Sequence, residues 1–241
     1  MFRNVRGVVV DGSEAPHFQG NFFFGGLEQG LALRNTVNGM VTGNSFVATQ
    51  GSSALSVLEG SLHSTLAHNL IMGPANRGIL VSHGSHNTNV TEKLVWRSEG
   101  SGIVVSASDC VRIANNRSIN NYQKGIQIRT SRNSAAIGNQ LLGNGSAGIF
   151  IGDQPIETTT LVRSNTFIGN RFGLSTASAS SLSLSGNNFS NQFPRFLEGD
   201  LASQTQRIVN DLVGAEPIEL VASGVTILGL TPPTCQPWTE S

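Results

Sequence analysis

The sequence predicts an all-β fold, a right-handed parallel β-helix of about eight coils, and three observations lead to this prediction. A short phrase recurs every 23 to 25 residues, apolar residues alternate within each copy, and a column of Asn residues keeps the same register. Alternation with a period of two is typical of a strand, whereas a helix needs apolar residues three and four apart. Each copy is too short to bury its own apolar face, so the copies must stack along one axis.

The recurring phrase supplies the first strand of each coil, as in GILVS, GIVVS, GIQIR and GIFIG. The copies begin at Gly7, Gly30, Ala54, Gly78, Gly102, Gly125, Gly148 and Gly173. The alternation predicts a set of side chains that point into the core: Ile79, Val81, Ile103, Val105, Ile126, Ile128, Ile149 and Ile151.

The residues between these inward positions should face outward: Val9, Ala32, Ser56, Leu80, Val104, Gln127, Phe150 and Ser175. Several of them are apolar, which has two explanations. Either a second subunit, as in a homo-oligomer, or an ordered loop packs on this face, or the face is a ligand surface.

The Asn column predicts a ladder at one turn of the coil, where Asn tolerates left-handed backbone angles and its amide satisfies peptide groups. Its members are Asn44, Asn69, Asn116, Asn139, Asn165 and Asn187. Lys93 occupies the slot between Asn69 and Asn116. We interpret this column as structural.

The end of the chain has a different character. Asp200 is a suitable N-cap, apolar residues follow at helical spacing, and Gly214 is a suitable stop. We therefore expect β-helix coils over 1–198, an amphipathic capping helix over 199–214, and a final strand pair with an irregular tail over 215–241.

Composition excludes several classes of partner. The formal net charge is zero and charged residues make up only 12% of the chain, so no bulk field attracts nucleic acid or an acidic membrane surface.

No apolar run is long enough to span a membrane, and the opening MFRNVRGVVVDG lacks the apolar core of a secretory signal. The repeat begins almost at once, so we expect further coils upstream. We expect Cys110 and Cys235 to be two unrelated thiols.

Ionisable side chains cluster at the end of the first strand of each coil. Glu59 and His83 lie one coil apart in this register, so we hypothesise that they form an acid/base pair. Arg129 would hold an acidic group of the substrate. Candidate substrate-binding residues on the same face are Arg34, Asn35, Gln127 and Asp153. Placement at a solvated surface is the alternative explanation for all of them.

The histidines do not predict a metal site. His83 and His86 are three residues apart, and His63 and His68 belong to the preceding coil. No spacing among them matches a zinc pattern, and no phosphate-binding Gly loop or nucleophile elbow is present. We expect neither a metal nor a cofactor.

Several of these segments resemble the bacterial mannuronan C-5 epimerases, which are periplasmic β-helix enzymes. The resemblance rests on RGILVSHGSHNTNV, on the GIVVS and GIQIR coils with NNRSINN between them, and on QRIVNDLV. It covers roughly Ala54 to Val213. It implies a pectin-lyase-like fold, an acidic polysaccharide or other sugar as ligand, and a periplasmic or extracellular location.

The family's catalytic residues are not retained. Its DPHD tetrapeptide, whose His removes the C-5 proton, aligns with Ser56 to Glu59, so Leu58 stands at the base position. The Arg that neutralises the substrate carboxylate aligns with His83. Only acidic character at Glu59 remains, and a leucine cannot take a proton.

These residues leave three functional hypotheses. The first is a carbohydrate-directed protein that acts on or binds an acidic polysaccharide, as an epimerase or lyase using acid/base proton transfer if it is active. The second is a catalytically silent binding or scaffolding subunit. The third is a remodelled β-helix enzyme that acts on a small molecule.

Overall fold

The structure is a computed structural model that describes residues 7–155, 159–177, 181–192, 197–199, 212–213 and 226–227. Its strands form three parallel sheets of nine strands each, and every coil contributes one strand to each sheet. The fold is the predicted right-handed parallel β-helix.

The three sheets are called sheets 1, 2 and 3 in the order in which a coil visits them. Sheet 1 contains β1 (Val8–Asp11), β4 (Gln29–Arg34), β7 (Ser53–Leu58), β10 (Arg77–Ser82), β13 (Ser101–Ser106), β16 (Ile126–Arg129), β19 (Ala147–Gly152), β22 (Phe172–Ala177) and β25 (Leu197–Gly199). Sheet 2 contains β2 (His17–Gln19), β5 (Met40–Thr42), β8 (Thr65–Ala67), β11 (Asn89–Thr91), β14 (Arg112–Ala114), β17 (Ala135–Ile137), β20 (Thr159–Arg163), β23 (Ser181–Ser185) and β27 (Thr226–Ile227). Sheet 3 contains β3 (Phe22–Phe24), β6 (Ser45–Val47), β9 (Leu70–Met72), β12 (Leu94–Trp96), β15 (Arg117–Ile119), β18 (Gln140–Leu142), β21 (Thr166–Ile168), β24 (Asn187–Asn191) and β26 (Leu212–Val213).

The register of sheet 1 is the one that the repeat predicts. Ile79 pairs with Leu55 on one side and with Ile103 on the other, in parallel ladders. Equivalent side chains consequently stack from coil to coil. The predicted inward residues are all fully buried in one continuous core, which confirms the alternation: Ile79, Val81, Ile103, Val105, Ile126, Ile128, Ile149 and Ile151.

The glycine that opens most copies is required by close packing. A Cβ atom on Gly125 would lie 2.7 Å from the carbonyl oxygen of Gly148 and 2.8 Å from Nδ2 of Asn144. Real Cβ atoms do not approach other atoms so closely. The strand can therefore start against the neighbouring turn only if this position has no side chain.

Polar ladders hold the turns in register. In the predicted Asn column, each side-chain oxygen accepts the backbone N–H of the equivalent residue one coil earlier, as Asn139 Oδ1 does from Asn116 N at 2.9 Å. The ladder also includes Asn21, whose N–H donates to Asn44 Oδ1. A second ladder at the next turn was not predicted. It joins Asn121, Asn144, Asn170 and Gln192.

The predicted capping helix over 199–214 lies outside the described residues, except for Gly199 and Leu212–Val213, which belong to strands. The final strand pair and tail over 215–241 also lie outside them, apart from Thr226–Ile227. The proposed division of the chain at these positions stays a prediction. Within the described ranges, no helix is both long and apolar enough to cross a lipid bilayer.

Candidate functional site

The candidate residues at the end of the first strand occupy a left-handed turn. Glu59 has a φ of 55° and His83 a φ of 57°, and Asn35, Thr130 and Asp153 have similar positive values. Gly, Asn and Asp adopt this conformation more readily than other residues. The backbone therefore accounts for part of the residue choice in this column.

Glu59 and His83 lie in adjacent coils, as the register predicts, because the N–H of Gly60 donates to the carbonyl of His83 at 2.8 Å. Their side chains have other partners. Glu59 Oε1 lies 3.6 Å from Nη1 of Arg34, and His83 Nδ1 lies 2.7 Å from the Ser82 hydroxyl. Among the described residues, no hydrogen bond or ion pair joins Glu59 to His83.

The two other ionic candidates also pair across one coil. Arg129 donates from Nε to Oδ2 of Asp153 at 2.9 Å, and its Nη2 contacts the same oxygen. Both side chains are about half exposed. On the first coils, Asn35 Nδ2 donates to Asp11 Oδ1 at 2.8 Å. Asn35 and Arg34 thus stabilise the turns at the N-terminal end of the described solenoid.

A groove of about 450 Å³ crosses the outer face of β10, β13 and β16 in sheet 1. Its floor is apolar and consists of Leu80 and Val104. Neutral polar side chains surround this floor: Asn76, Ser82, Ser101, Ser106, Gln123 and Gln127. The basic side chains of the groove are Arg77, His83, Lys124 and Arg129. No carboxylate lines it among the residues that the structure describes.

Three of the seven predicted site residues line this groove, namely His83, Gln127 and Arg129. Asp153 borders it through its pair with Arg129. Glu59, Arg34 and Asn35 do not line it. The predicted site residues therefore lie in two places. His83, Gln127, Arg129 and Asp153 lie in or beside the groove, whereas Arg34, Asn35 and Glu59 lie on the coils that precede it.

The groove explains why some of the outward-facing residues of sheet 1 are apolar. Ala32 and Ser56, the outer residues of β4 and β7, are fully buried. On the groove floor Leu80 is half-buried and Val104 is 5% exposed, and the centroid of the Phe150 ring lies 5.3 Å from Nζ of Lys124. The outer face is thus closed on the early coils and partly accessible at Leu80 and Phe150.

The sequence analysis did not identify Arg77 and Lys124, although their position in the repeat could have indicated them. Each precedes the opening glycine of a repeat, at Gly78 and Gly125. Both residues face the groove at the start of the strand, opposite His83 and Arg129 at its end. Burial and the nearby charge of Arg129 lower the pKa of Lys124.

The described residues contain no group of three or more His, Cys, Asp or Glu side chains that could hold a metal ion. His68 Nδ1 instead lies 2.9 Å from Oε2 of Glu92, and His86 Nδ1 accepts the N–H of Asp109 at 2.9 Å.

The expectation of two unrelated thiols was wrong for Cys110, which is disulfide-bonded.

Comparison with known families supports the fold. The profile of a family described as periplasmic copper-binding protein (NosD) matches residues 82–201. No curated protein matches the chain.

Solved structures of the same architecture match most of this chain. The Azotobacter vinelandii mannuronan C-5 epimerase AlgE6 A-module is 15% identical, with a TM-score of 0.62, over 94% of this chain and 58% of its own. The periplasmic alginate epimerase AlgG is 16% identical, with a TM-score of 0.59, over 91% and 47%. The tailspike protein gp49 of Pseudomonas phage LKA1 is 9% identical, with a TM-score of 0.51, over 81% and 42%.

The chain thus spans about half the length of these structures. At such low identity the similarity shows the fold, which is the β-helix architecture of alginate epimerases and of a phage tailspike.

Proposed function

We propose that the groove across β10, β13 and β16 binds an acidic carbohydrate, and that the protein is a carbohydrate-directed member of the β-helix class. One observation carries this proposal. The groove combines an apolar floor, neutral hydrogen-bonding side chains and several basic side chains, with no carboxylate among its described lining residues.

This combination matches the surface of a sugar acid. The C–H face of a pyranose packs on apolar side chains such as Leu80 and Val104, while Ser, Asn and Gln side chains exchange hydrogen bonds with hydroxyl groups. Arg and Lys side chains pair with a carboxylate. A neutral sugar would offer no anionic partner to Lys124, with which no carboxylate pairs among the described residues, whereas Arg129 is already paired with Asp153.

The similar structures support the same class of ligand, because two of them are epimerases of alginate or mannuronan. The AlgG structure and the NosD family are both described as periplasmic, which supports a location outside the cytoplasm. The disulfide at Cys110 fits an oxidising compartment.

Proton transfer is a second candidate function, and the position of His83 favours it. Its ring lines the groove while Nδ1 is held by the Ser82 hydroxyl at 2.7 Å, so Nε2 remains to exchange a proton with a ligand. In this version Glu59, in the adjacent coil, would exchange its contact with Arg34 for the ligand and complete the acid/base pair, and Arg129 would share the substrate carboxylate with Lys124. A catalytically silent subunit would keep the groove without this step.

Filling the groove tests the binding function. We expect Ser106→Trp to weaken the binding of oligomannuronate or oligogalacturonate by about tenfold or more, because the indole would occupy the floor of the groove. Isothermal titration calorimetry measures the affinity. Ser45→Trp is the matched control, since Ser45 is a half-buried serine in β6 on sheet 3. Equal affinities of wild type and both variants would place the ligand elsewhere.

Proton exchange separates the active protein from the silent one. For the second candidate, incubation with polymannuronate in D₂O should place deuterium at C-5, as followed by NMR. The rate should fall by about a hundredfold or more in both Glu59→Gln and His83→Gln. Exchange that persists in Glu59→Gln would remove Glu59 from the mechanism. Binding without any exchange would identify a silent binding protein.

A further inference from the structure

We infer that Lys124 is the residue that selects acidic over neutral sugars, by binding the ligand carboxylate in a subsite that it forms with Arg129 and Phe150. This subsite is called the carboxylate subsite. The inference rests on the proposed function and assigns its ligand specificity to a single side chain.

The geometry of β16 and β19 defines the subsite. Lys124 lies immediately before the opening glycine of its coil, Arg129 ends β16, and both side chains line the groove. Gln127, between them, pairs with Phe150 of β19. Nζ of Lys124 lies 5.3 Å from the centroid of the Phe150 ring. The ammonium group is therefore held on the aromatic face, near the middle of the sheet.

The charges around Lys124 are not balanced. Arg129 already has a carboxylate partner, since its Nε donates to Oδ2 of Asp153 at 2.9 Å. Among the described residues, no carboxylate pairs with Lys124. Burial and then the Arg129 charge lower the pKa of Lys124, because both make its ammonium form less favourable than it is in water.

An anionic ligand would stabilise the ammonium form of Lys124. A carboxylate near Nζ would offset both the loss of water and the repulsion from Arg129, so binding of an acid gains free energy that a hydroxyl cannot supply. Arg129 contributes less, because a ligand carboxylate must share it with Asp153. Lys124 therefore distinguishes a uronate from the corresponding neutral sugar.

The test compares two probes that differ in charge, trimannuronate and mannotriose, by isothermal titration calorimetry. Wild type should bind trimannuronate more tightly. Lys124→Met should lose about tenfold in affinity for trimannuronate and little for mannotriose, while Lys124→Arg should keep most of the preference. Arg129→Gln should lose only about threefold, because its charge is already paired.

The outcomes separate this inference from the proposed function. If wild type binds neither probe, the sugar-binding function itself is wrong. If wild type prefers trimannuronate and Lys124→Met keeps that preference, the groove binds acidic sugars but Lys124 does not select them. A larger loss in Arg129→Gln than in Lys124→Met would also overturn the inference and make Arg129 the main carboxylate ligand.

Discussion

Replacing Asn139 with Ala is expected to lower the free energy of unfolding by about 3 to 5 kcal/mol. Asn139 is fully buried in the middle of the first ladder. Its Nδ2 donates to Ile113 O and Asn165 Oδ1, and its Oδ1 accepts from N and Nδ2 of Asn116, with all four distances between 2.9 and 3.0 Å. Truncation leaves the buried N–H of Asn116 without its acceptor and removes one bond each from Asn116 Nδ2, Ile113 O and Asn165 Oδ1.

Asn76→Ala is the matched control, because Asn76 is exposed at the edge of the groove. We expect it to change stability by less than about 0.5 kcal/mol. Urea denaturation followed by circular dichroism measures both variants. Similar small losses for Asn139→Ala and Asn76→Ala would show that the ladder contributes little to the stability of the solenoid.

Replacing Lys93 with Asn is expected to stabilise the protein. Lys93 occupies a ladder slot and is only 2% exposed, yet its Nζ donates to a single backbone carbonyl, that of Thr91, at 3.1 Å. Burial lowers the pKa of Lys93 to about 6, and Glu92 offsets this only partly. An Asn would remove the buried amine and supply the side-chain oxygen that the ladder needs toward Asn69. The gain should be on the order of 3 kcal/mol at pH 7, or about 5 to 10 °C in Tm.

The pH dependence gives an independent check. Between pH 6 and 10.5 the unfolded chain keeps a proton on Lys93 that the folded chain has lost, so wild-type stability rises with pH across this window. Below pH 6 both states are protonated and the full cost of the buried charge remains.

Thermal melts of wild type, Lys93→Asn and Lys93→Met between pH 6 and 10 measure this effect. Both variants should lose the upward slope, and Lys93→Asn should melt above Lys93→Met because only Asn restores the ladder. A wild-type slope equal to that of the variants would show that Lys93 is charged in the folded state.

The coil architecture could be predicted because stacked coils require the same type of residue at equivalent positions. The spacing of the opening glycines alone places Glu59 beside His83 in adjacent coils, and the structure confirms that register. The second ladder was harder to find. Its column has Ser98 and Gln192 beside Asn121, Asn144 and Asn170, so fewer coils carry the same residue at this position.

The candidate site could be predicted only in part, because side-chain partners depend on what the neighbouring coil offers. Glu59 turns toward Arg34 on the coil before it, and Arg129 pairs with Asp153 on the coil after it. No repeat pattern indicates such choices. The groove likewise depends on differences between coils, since Ser56 is buried while its partner in the next coil, Leu80, is half-buried.

The position of Lys124 in the repeat could have indicated a role in the groove. It stands in the column before the opening glycine, where the earlier coils have Gln29, Ser53, Arg77 and Ser101 and the later coils have Ala147 and Phe172. The polar part of this column lies beside the outward-facing apolar residues Leu80 and Val104, which indicates an accessible surface there. Sequence reasoning concentrated on the opposite end of the strand and so missed a groove lysine with which no carboxylate pairs among the described residues.

A crystal structure of the protein with bound trimannuronate tests the central claim most directly. We predict density for the sugar over Leu80 and Val104, with one carboxylate within hydrogen-bond distance of Nζ of Lys124. A trisaccharide bound on sheet 2 or sheet 3, with the groove of sheet 1 left empty, would contradict the account.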